Sequence, residues 1–352
     1  MVNVRERIAA FEQKQARLSD DLQRFLDLVW THRKDQASGT YAAANADVYG
    51  LYARASRNFH TSPAAMIPFL EQILRLPQLP EIQCDPDDDQ DALGDFLSLY
   101  FNAHAAQSGF AELDRNNFTA LVNLAKSNRP DVCNVLANTF YHFRRNLSPS
   151  TERIYLHTKP HQAIHVIEFV VTQMLRRPDR HPGLSNAKVG APGAESRFDT
   201  IVVYLANANS VAKALDAIAA YQHAGNYAKF EHGTTRSTKL ITDHKGYKLI
   251  GVGTGAEPPV ALYRHGDDLV TIPGSSSFGS FRSKLIQFAL ANTMQNGEGK
   301  VEFVTRAIGY FRSAGIDPRQ PHAHGKQAEL RRRAGIILQQ LQDGIEPAWK
   351  VT

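Results

Sequence analysis

The sequence has very little cysteine and no long apolar run. Its 352 residues include two cysteines, Cys84 and Cys133. They form neither a CxxC pair nor a disulfide pattern, which is typical of a reducing compartment. No apolar stretch approaches the roughly 20 residues that a membrane-spanning helix needs, and the N-terminal MVNVRERIAAFEQ lacks the apolar core of a signal peptide. We therefore expect a cytoplasmic protein with no membrane partner, and secretion without a cleaved apolar signal stays open.

The charge balance is basic. The formal net charge is +5 and the pI is near 9.1, which favours an anionic partner. Nucleic acid is one such partner, but no recognised nucleic-acid-binding motif is present, so we expect none. The hydrophobic content of 43% and the charged content of 21% are those of an ordinary globular chain.

The pattern of apolar residues changes near residues 148–150. Before this point, apolar residues recur at helical spacing, for example in NFTALVNLAKS and DVCNVLANTFYHFRR. After it, the strand-like segments ERIYLHT and FDTIVVYL alternate with amphipathic helices, and helical patterns return near the C-terminus. We therefore predict an α+β protein, with a helical region over residues 1–150. A mixed α/β domain with C-terminal helices follows over residues 151–352.

One predicted strand carries only polar side chains on one face. In RIYLHTK, alternate residues point to the same side of a strand, so Arg153, Tyr155 and His157 share a face. The apolar residues between them share the other face. If FDTIVVYL pairs nearby with its apolar face aligned, Tyr204 joins the polar set. For an isolated strand, a solvated edge explains this pattern as well.

Further cations add to this set of polar residues. The set contains hardly any carboxylates. Lys188 lies in NAKVG, Arg197 precedes FDTIVVYL, and Arg282 stands at a probable helix start, where free N–H groups favour anions. Arginine forks suit phosphate oxygens, whereas a set so poor in acids is badly suited to a metal ion. We therefore expect an anion that is held directly, with no metal and no cofactor. A partly desolvated lysine among arginines loses its proton more readily, so Lys188 can serve as a base.

The same segments resemble a known enzyme family. RIYLHTKPHQAIHVIEFVV, NAKVG, the Arg-bearing loop and FDTIVVYL are similar to the core of bacterial phosphothreonine lyases. Those enzymes remove phosphate from phosphothreonine by β-elimination, without metal or cofactor. The resemblance implies that Lys188 takes the Cα proton and that Arg197 and Tyr204 bind phosphate. Arg153 takes the place of the first basic residue of the family's Lys-x-His pattern.

The sequence departs from the family at the general acid. Tyr155 stands where the family has a histidine, and His157 follows two residues later on the same predicted face. Either side chain can protonate the leaving group, so both remain candidates for this role.

Over a longer stretch, the sequence is similar to the HopA-type family. GAEPP and SFGSFRSKLI resemble its C-terminal half, and the similarity covers about residues 150–295. The family includes secreted effectors of plant-associated bacteria and stand-alone lyase components of class V lanthipeptide and thioamitide pathways. In those pathways a separate kinase-like protein phosphorylates a precursor peptide, and the lyase eliminates the phosphate.

Three functions are therefore expected. The first is a phosphoserine/phosphothreonine lyase that makes dehydroamino acids in a precursor peptide, with a kinase-like protein as a further partner. The second is a type III secreted HopA-type effector that acts on host phosphoproteins. The third is a non-catalytic phosphopeptide-binding module, which would tolerate loss of Lys188. Helix-like sequence close to the N-terminus, in place of a Ser-rich export segment, favours the first.

Overall fold

A computed structural model provides the structure of most of the C-terminal two thirds of the chain and of shorter segments before it. It describes residues 18–33, 48–53, 63–77, 81–83, 110–111, 115–126, 136–137, 139–145, 150–159, 161–194, 197–257, 262–265, 268–271 and 278–323.

The described helices lie both before and after the main strands. They are α1 (Asp20–Thr31), α2 (Pro63–Arg75), α3 (Arg115–Lys126), α4 (Ala163–Phe169), α5 (Ala208–Tyr221), α6 (Phe278–Gln295) and α7 (Lys300–Ser313). A π-helical turn over Val170–Leu175 continues α4, and a second over Gln222–Asn226 continues α5. None of the helices in the described segments is long and apolar enough to cross a membrane.

Twelve strands are described. They are β1 (Glu81–Gln83), β2 (Phe110–Ala111), β3 (Phe140–Arg144), β4 (Glu152–Leu156), β5 (Leu184–Gly190), β6 (Ile201–Leu205), β7 (Lys239–Leu240), β8 (Asp243–His244), β9 (Tyr247–Lys248), β10 (Val252–Ala256), β11 (Leu262–His265) and β12 (Asp268–Thr271). Eight of them form one sheet in the order β2-β1-β3-β5-β6-β4-β10-β7. The central strands β3, β5, β6 and β4 pair antiparallel with one another. The predicted α+β class, with helices toward both ends of the chain, is confirmed.

The sheet has one apolar face because its central strands alternate. Ile154 of β4 lies opposite Val203 of β6, and Val203 lies opposite Ala187 of β5. These side chains are fully buried and belong to one hydrophobic core. Helices α4 and α5 contact the central strands and supply residues to the same core, and burial of this apolar area stabilises the layer. RIYLHTK and FDTIVVYL therefore do pair with their apolar faces aligned, which is the condition under which Tyr204 joins the polar set.

The helix predicted in DVCNVLANTFYHFRR is wrong at its C-terminal end. Residues Phe140–Arg144 form strand β3, which pairs with β1 and β5. Tyr141 and Phe143 enter the core, whereas the residues between and beside them face the other way. This period-2 arrangement of aromatic residues suits a strand better than a helix.

The chain forms two compact units. The first consists of Met1–Ala53, Arg236–Lys239 and Gly255–Thr352, and the second of Arg54–Thr235 and Leu240–Thr254. This division differs from the boundary predicted at residue 150. The reason is that β1 and β3, which precede that point, pair into the same sheet as β5.

In the first unit, α6 packs against α7. The Trp30 ring of α1 stacks on Phe303 of α7 at a centroid distance of 5.6 Å. Ser19 caps α1 by accepting a hydrogen bond from the Leu22 N–H at 3.2 Å, which satisfies one of the free N–H groups of the first turn.

Candidate functional site

The second face of the central sheet is polar, and we call it the polar face. Its members are Phe140, His142 and Arg144 on β3, Asn186 and Lys188 on β5, Val202 and Tyr204 on β6, and Arg153 and Tyr155 on β4. The face therefore brings together four of the seven residues predicted for the site, namely Lys188, Arg153, Tyr155 and Tyr204.

The strand register arranges the polar face in two rows. One row runs across the sheet through His142, Lys188, Val202 and Tyr155. Because neighbouring strands lie about 4.8 Å apart, His142 is a direct neighbour of Lys188, and Tyr155 is two strands away from it.

The second row ends in an arginine on each side. It runs through Arg144, Asn186, Tyr204 and Arg153. The guanidinium carbon of Arg153 lies 4.4 Å from the centroid of the Tyr204 ring. Both side chains are more than nine-tenths buried, and a desolvated cation over an aromatic ring is held in place. Arg153 and Tyr204 therefore form a fixed pair.

One phenyl ring holds two of the predicted cations together. The Lys188 Nζ lies 4.0 Å from the centroid of the Phe140 ring, and the Arg197 guanidinium carbon lies 5.0 Å from the same centroid. Lys188 is half-buried. The structure thus adds Arg197 to the residues that surround the polar face.

Arg197 is paired with a buried carboxylate, Asp199, that was not predicted from the sequence. Arg197 Nε donates to Asp199 Oδ1 at 2.8 Å and Nη2 donates to Oδ2 at 3.1 Å. Burial raises the pKa of Asp199, but Arg197 and Lys188 outweigh it and hold this pKa below its usual 3.8. Asp199 is therefore ionised at neutral pH, and it fixes the Arg197 guanidinium through a charge-assisted fork.

The two candidates for the general acid lie in different surroundings. Tyr155 is 2% exposed and shares a row with Lys188. His157 follows the end of β4, and its ring meets the edge of Phe198 at a centroid distance of 4.7 Å. Its Nδ1 donates to the carbonyl oxygen of His232 at 3.0 Å. Since Nδ1 carries a proton, His157 must be an imidazolium before Nε2 can give one to a substrate.

Arg282 lies in the first unit, where it is fully buried. Its Nε donates to the Pro321 carbonyl oxygen at 2.6 Å, and its Nη1 donates to the Phe278 carbonyl oxygen at 3.3 Å. The guanidinium carbon also lies 3.6 Å from the centroid of the Phe278 ring. These contacts give Arg282 a structural role within that unit. Its assignment as a phosphate ligand stays a prediction.

Five residues of the polar face were not predicted from the sequence, namely Phe140, His142, Arg144, Asn186 and Val202. Asn186 Nδ2 donates to His142 Nδ1 at 3.4 Å. Burial lowers the pKa of His142 well below its usual 6.5, and the charges of Lys188, Arg144 and Arg153 add to this effect. His142 is therefore neutral at pH 7. The alternation of core and polar residues in FYHFR was the signal that would have found it.

Comparisons with known proteins give structural neighbours only. No family model and no curated protein sequence matches the chain. An effector protein from Pseudomonas syringae pv. tomato strain DC3000 is 17% identical, with a TM-score of 0.49 over 88% of this chain and 100% of that chain. An effector protein from Pseudomonas syringae pv. syringae strain 61 is 15% identical, with the same TM-score and the same coverage.

Proposed function

We propose that the protein is a phosphoserine/phosphothreonine lyase that acts on a peptide. It removes phosphate by β-elimination and leaves a dehydroamino acid. One observation carries the proposal: a single sheet face assembles Lys188, Tyr155, Tyr204 and Arg153, and Arg197 lies on the same phenyl ring as Lys188.

The phosphate group of the substrate binds to Arg153 and Tyr204. The guanidinium offers N–H donors in a fork that matches phosphate oxygens, and the phenol offers a further donor. Because Arg153 is already fixed over the Tyr204 ring, little ordering of this side chain is needed when phosphate arrives. Arg197 lies on the Lys188 side of the face, where Asp199 balances its charge.

Lys188 acts as the base in its neutral form. Its Nζ takes the Cα proton of the phosphorylated residue, and the electrons of that C–H bond form the Cα–Cβ double bond. The Cβ–O bond breaks, and phosphate leaves with both electrons of this bond and its oxygen. Negative charge develops on the substrate carbonyl oxygen and on the leaving group, so the surrounding cations stabilise the transition state.

Tyr155 donates its proton to the departing oxygen, and His157 is the alternative donor. The reaction yields phosphate and the dehydroamino acid without water as a reactant. Lys188 then returns its proton to solvent, and the acid is reprotonated. Tyr155 fits this role better because it shares a row with Lys188.

A kinase-type reaction must supply the substrate of this step. A precursor peptide that a separate kinase-like protein has phosphorylated meets this need. A phosphoprotein attacked by a secreted effector would undergo the same chemistry. We propose the first, because the sequence resembles peptide-modifying lyases.

The test is incubation of the protein with phosphothreonine and phosphoserine peptides, read by mass spectrometry. We expect loss of the mass of phosphoric acid, whereas hydrolysis would exchange the phosphate for a hydroxyl. Lys188→Ala should lower the rate by about 10²- to 10⁴-fold, the usual contribution of a general base. Lys159→Ala is the matched control, because this lysine follows the same strand but is exposed.

The control should retain the wild-type rate. Tight binding of the phosphopeptide by the wild-type protein with no mass change would contradict the lyase and favour the binding module. Equal rates for Lys188→Ala and Lys159→Ala would remove Lys188 from the role of base.

A further inference from the structure

The amine of the proposed base lies against an aromatic ring that has no role in the mechanism above. The Nζ atom of Lys188 lies 4.0 Å from the centroid of the Phe140 ring. Phe140 is 3% exposed, so its ring is packed in place and the contact is partly shielded from water.

The strand register brings this ring and this amine together. Phe140 of β3 lies opposite Gly190 of β5, and His142 lies opposite Lys188. Phe140 and Lys188 are therefore diagonal neighbours on the polar face, and such a pair is within reach when one side chain is aromatic and the other is long. Gly190 places no side chain between them.

The neighbouring carboxylate is engaged by another cation. Asp199 accepts a hydrogen bond from Arg197 Nε with Oδ1 at 2.8 Å, and one from Nη2 with Oδ2 at 3.1 Å. A lysine that is hydrogen-bonded to a carboxylate is held in its charged form, whereas an aromatic ring attracts a cation less strongly. A ring is therefore the better support for a lysine that must act as a base.

An aromatic ring distinguishes the two forms of a lysine side chain. The ring face carries the negative part of a quadrupole, which attracts an ammonium group and offers little to a neutral amine. In the proposed reaction Lys188 starts neutral and becomes an ammonium when it takes the Cα proton. Positive charge therefore develops beside the Phe140 ring in the step that breaks the C–H bond.

We propose that Phe140 is a positioning residue that acts through Lys188. Its ring binds the ammonium group as this group forms, and it thereby stabilises the transition state of proton removal. The same contact holds the ammonium group afterwards, until its proton passes to solvent. This inference rests on the proposed function and adds to it a residue that the mechanism above does not use.

The test replaces Phe140 with phenylalanines that carry one, two or three fluorine atoms on the ring. Fluorine withdraws charge from the ring face and changes its shape little, so the attraction weakens while the packing remains. We expect the pH-independent kcat, taken from the full pH profile of each variant, to fall stepwise by about 3- to 30-fold in all. KM and the melting temperature should stay close to those of the wild type.

Phe143 provides the matched control. It lies on the same strand but is buried in the hydrophobic core, so the same replacements there should leave kcat unchanged. A kcat that does not depend on the number of fluorine atoms at Phe140 would overturn the inference. An equal fall at both positions would also overturn it, because the cause would then be packing.

A second measurement needs no turnover. Lysine labelled at Cε is followed by NMR, and the Lys188 signal is identified by its loss in Lys188→Ala. The ring current of Phe140 should shift the Hε protons of Lys188 upfield, and Phe140→Leu should abolish this shift. The shift should shrink when high pH neutralises the amine, because the ring no longer attracts it. A shift that is absent, or that ignores the charge of the amine, would overturn the inference.

The inference and the proposed function can fail separately. If the shift follows the charge of Lys188 but the wild type never eliminates phosphate, the ring contact stands and the lyase falls. If the wild type eliminates phosphate and kcat ignores the fluorine atoms, the lyase stands and the role of Phe140 falls.

Discussion

Three cations at or beside the polar face are each held by a specific neighbour. Arg153 lies over Tyr204, Lys188 lies over Phe140, and Arg197 is bound by Asp199. The Arg197–Asp199 pair is buried, with side-chain exposures of 8% and 6%. Buried pairs of this kind are costly to break, because the remaining charge is left without compensation.

Asp199→Asn should therefore destabilise the fold strongly. We expect a loss of about 3–5 kcal/mol in the free energy of unfolding, measured by urea denaturation, because Arg197 would stay buried without its carboxylate. Asp179→Asn is the control, since Asp179 pairs with Arg177 at the surface, and it should change the midpoint little. Similar midpoints for the two variants would show that the buried pair contributes nothing.

His142 should make stability depend on pH. Its pKa in the folded protein is well below 6.5, its usual value. As pH falls below 6.5, the unfolded chain takes up a proton that the folded chain does not, so the folded state loses stability. The loss continues until pH reaches the lowered pKa of the folded state.

His142→Gln should reduce this dependence. We expect the melting temperature of the wild type to fall more than that of the variant between about pH 7.5 and about pH 5. The comparison between the two proteins isolates His142 from the other histidines. Parallel melting curves across this range would mean that His142 is protonated as easily in the folded state as in the unfolded state.

At the scale of elements, a close backbone contact holds the chain in place just after β4 ends. The N–H of His157 donates to the Gly251 carbonyl oxygen at 2.8 Å. Gly251 has φ +65°, and a Cβ atom there would lie 2.5 Å from the carbonyl oxygens of His157 and Glu231. Only glycine combines this backbone conformation with so little space.

Gly251→Ala should destabilise the protein and displace His157. Gly246 provides the control, because its φ is +83° and no atom lies within 4 Å of a Cβ built there. Gly246→Ala carries only the backbone strain, about 1 kcal/mol, whereas Gly251→Ala adds a steric clash. Thermal melting of both variants tests this difference, and equal losses would contradict the close contact.

The sequence predicted β4 and β6 because both show clear alternation. Ile154 and Leu156 point to the core, and Arg153 and Tyr155 point to the polar face. Such a period-2 pattern is visible without any knowledge of neighbours. The two strands that carry four of the nine polar-face residues were therefore predictable before the structure.

Strand β3 was hidden because it is short and follows apolar residues at helical spacing. Its five residues, three of them aromatic, are too few for their alternation to outweigh the helical spacing of the residues before them. The position of His142 on the polar face was therefore not predicted. Neither was the contact of the Phe140 ring with Lys188 and Arg197. These contacts bring together residues about 50 apart in the chain, which a local pattern does not show.

At the scale of the whole molecule, the proposed reaction involves one of the two compact units. All the residues assigned to the reaction lie in the second unit, and Arg282 lies in the first. The predicted boundary at residue 150 differed from this division because strands on both sides of it join one sheet. We propose that the second unit uses Lys188 to remove a Cα proton.

The most direct measurement uses a phosphothreonine peptide deuterated at Cα of the phosphorylated residue. Elimination must break the Cα–D bond, whereas hydrolysis leaves it intact. If Lys188 removes this proton, we expect mass spectrometry to show a product that has lost both phosphate and deuterium and contains a dehydroamino acid. A dephosphorylated threonine peptide that keeps its deuterium, or an unchanged substrate, would contradict it.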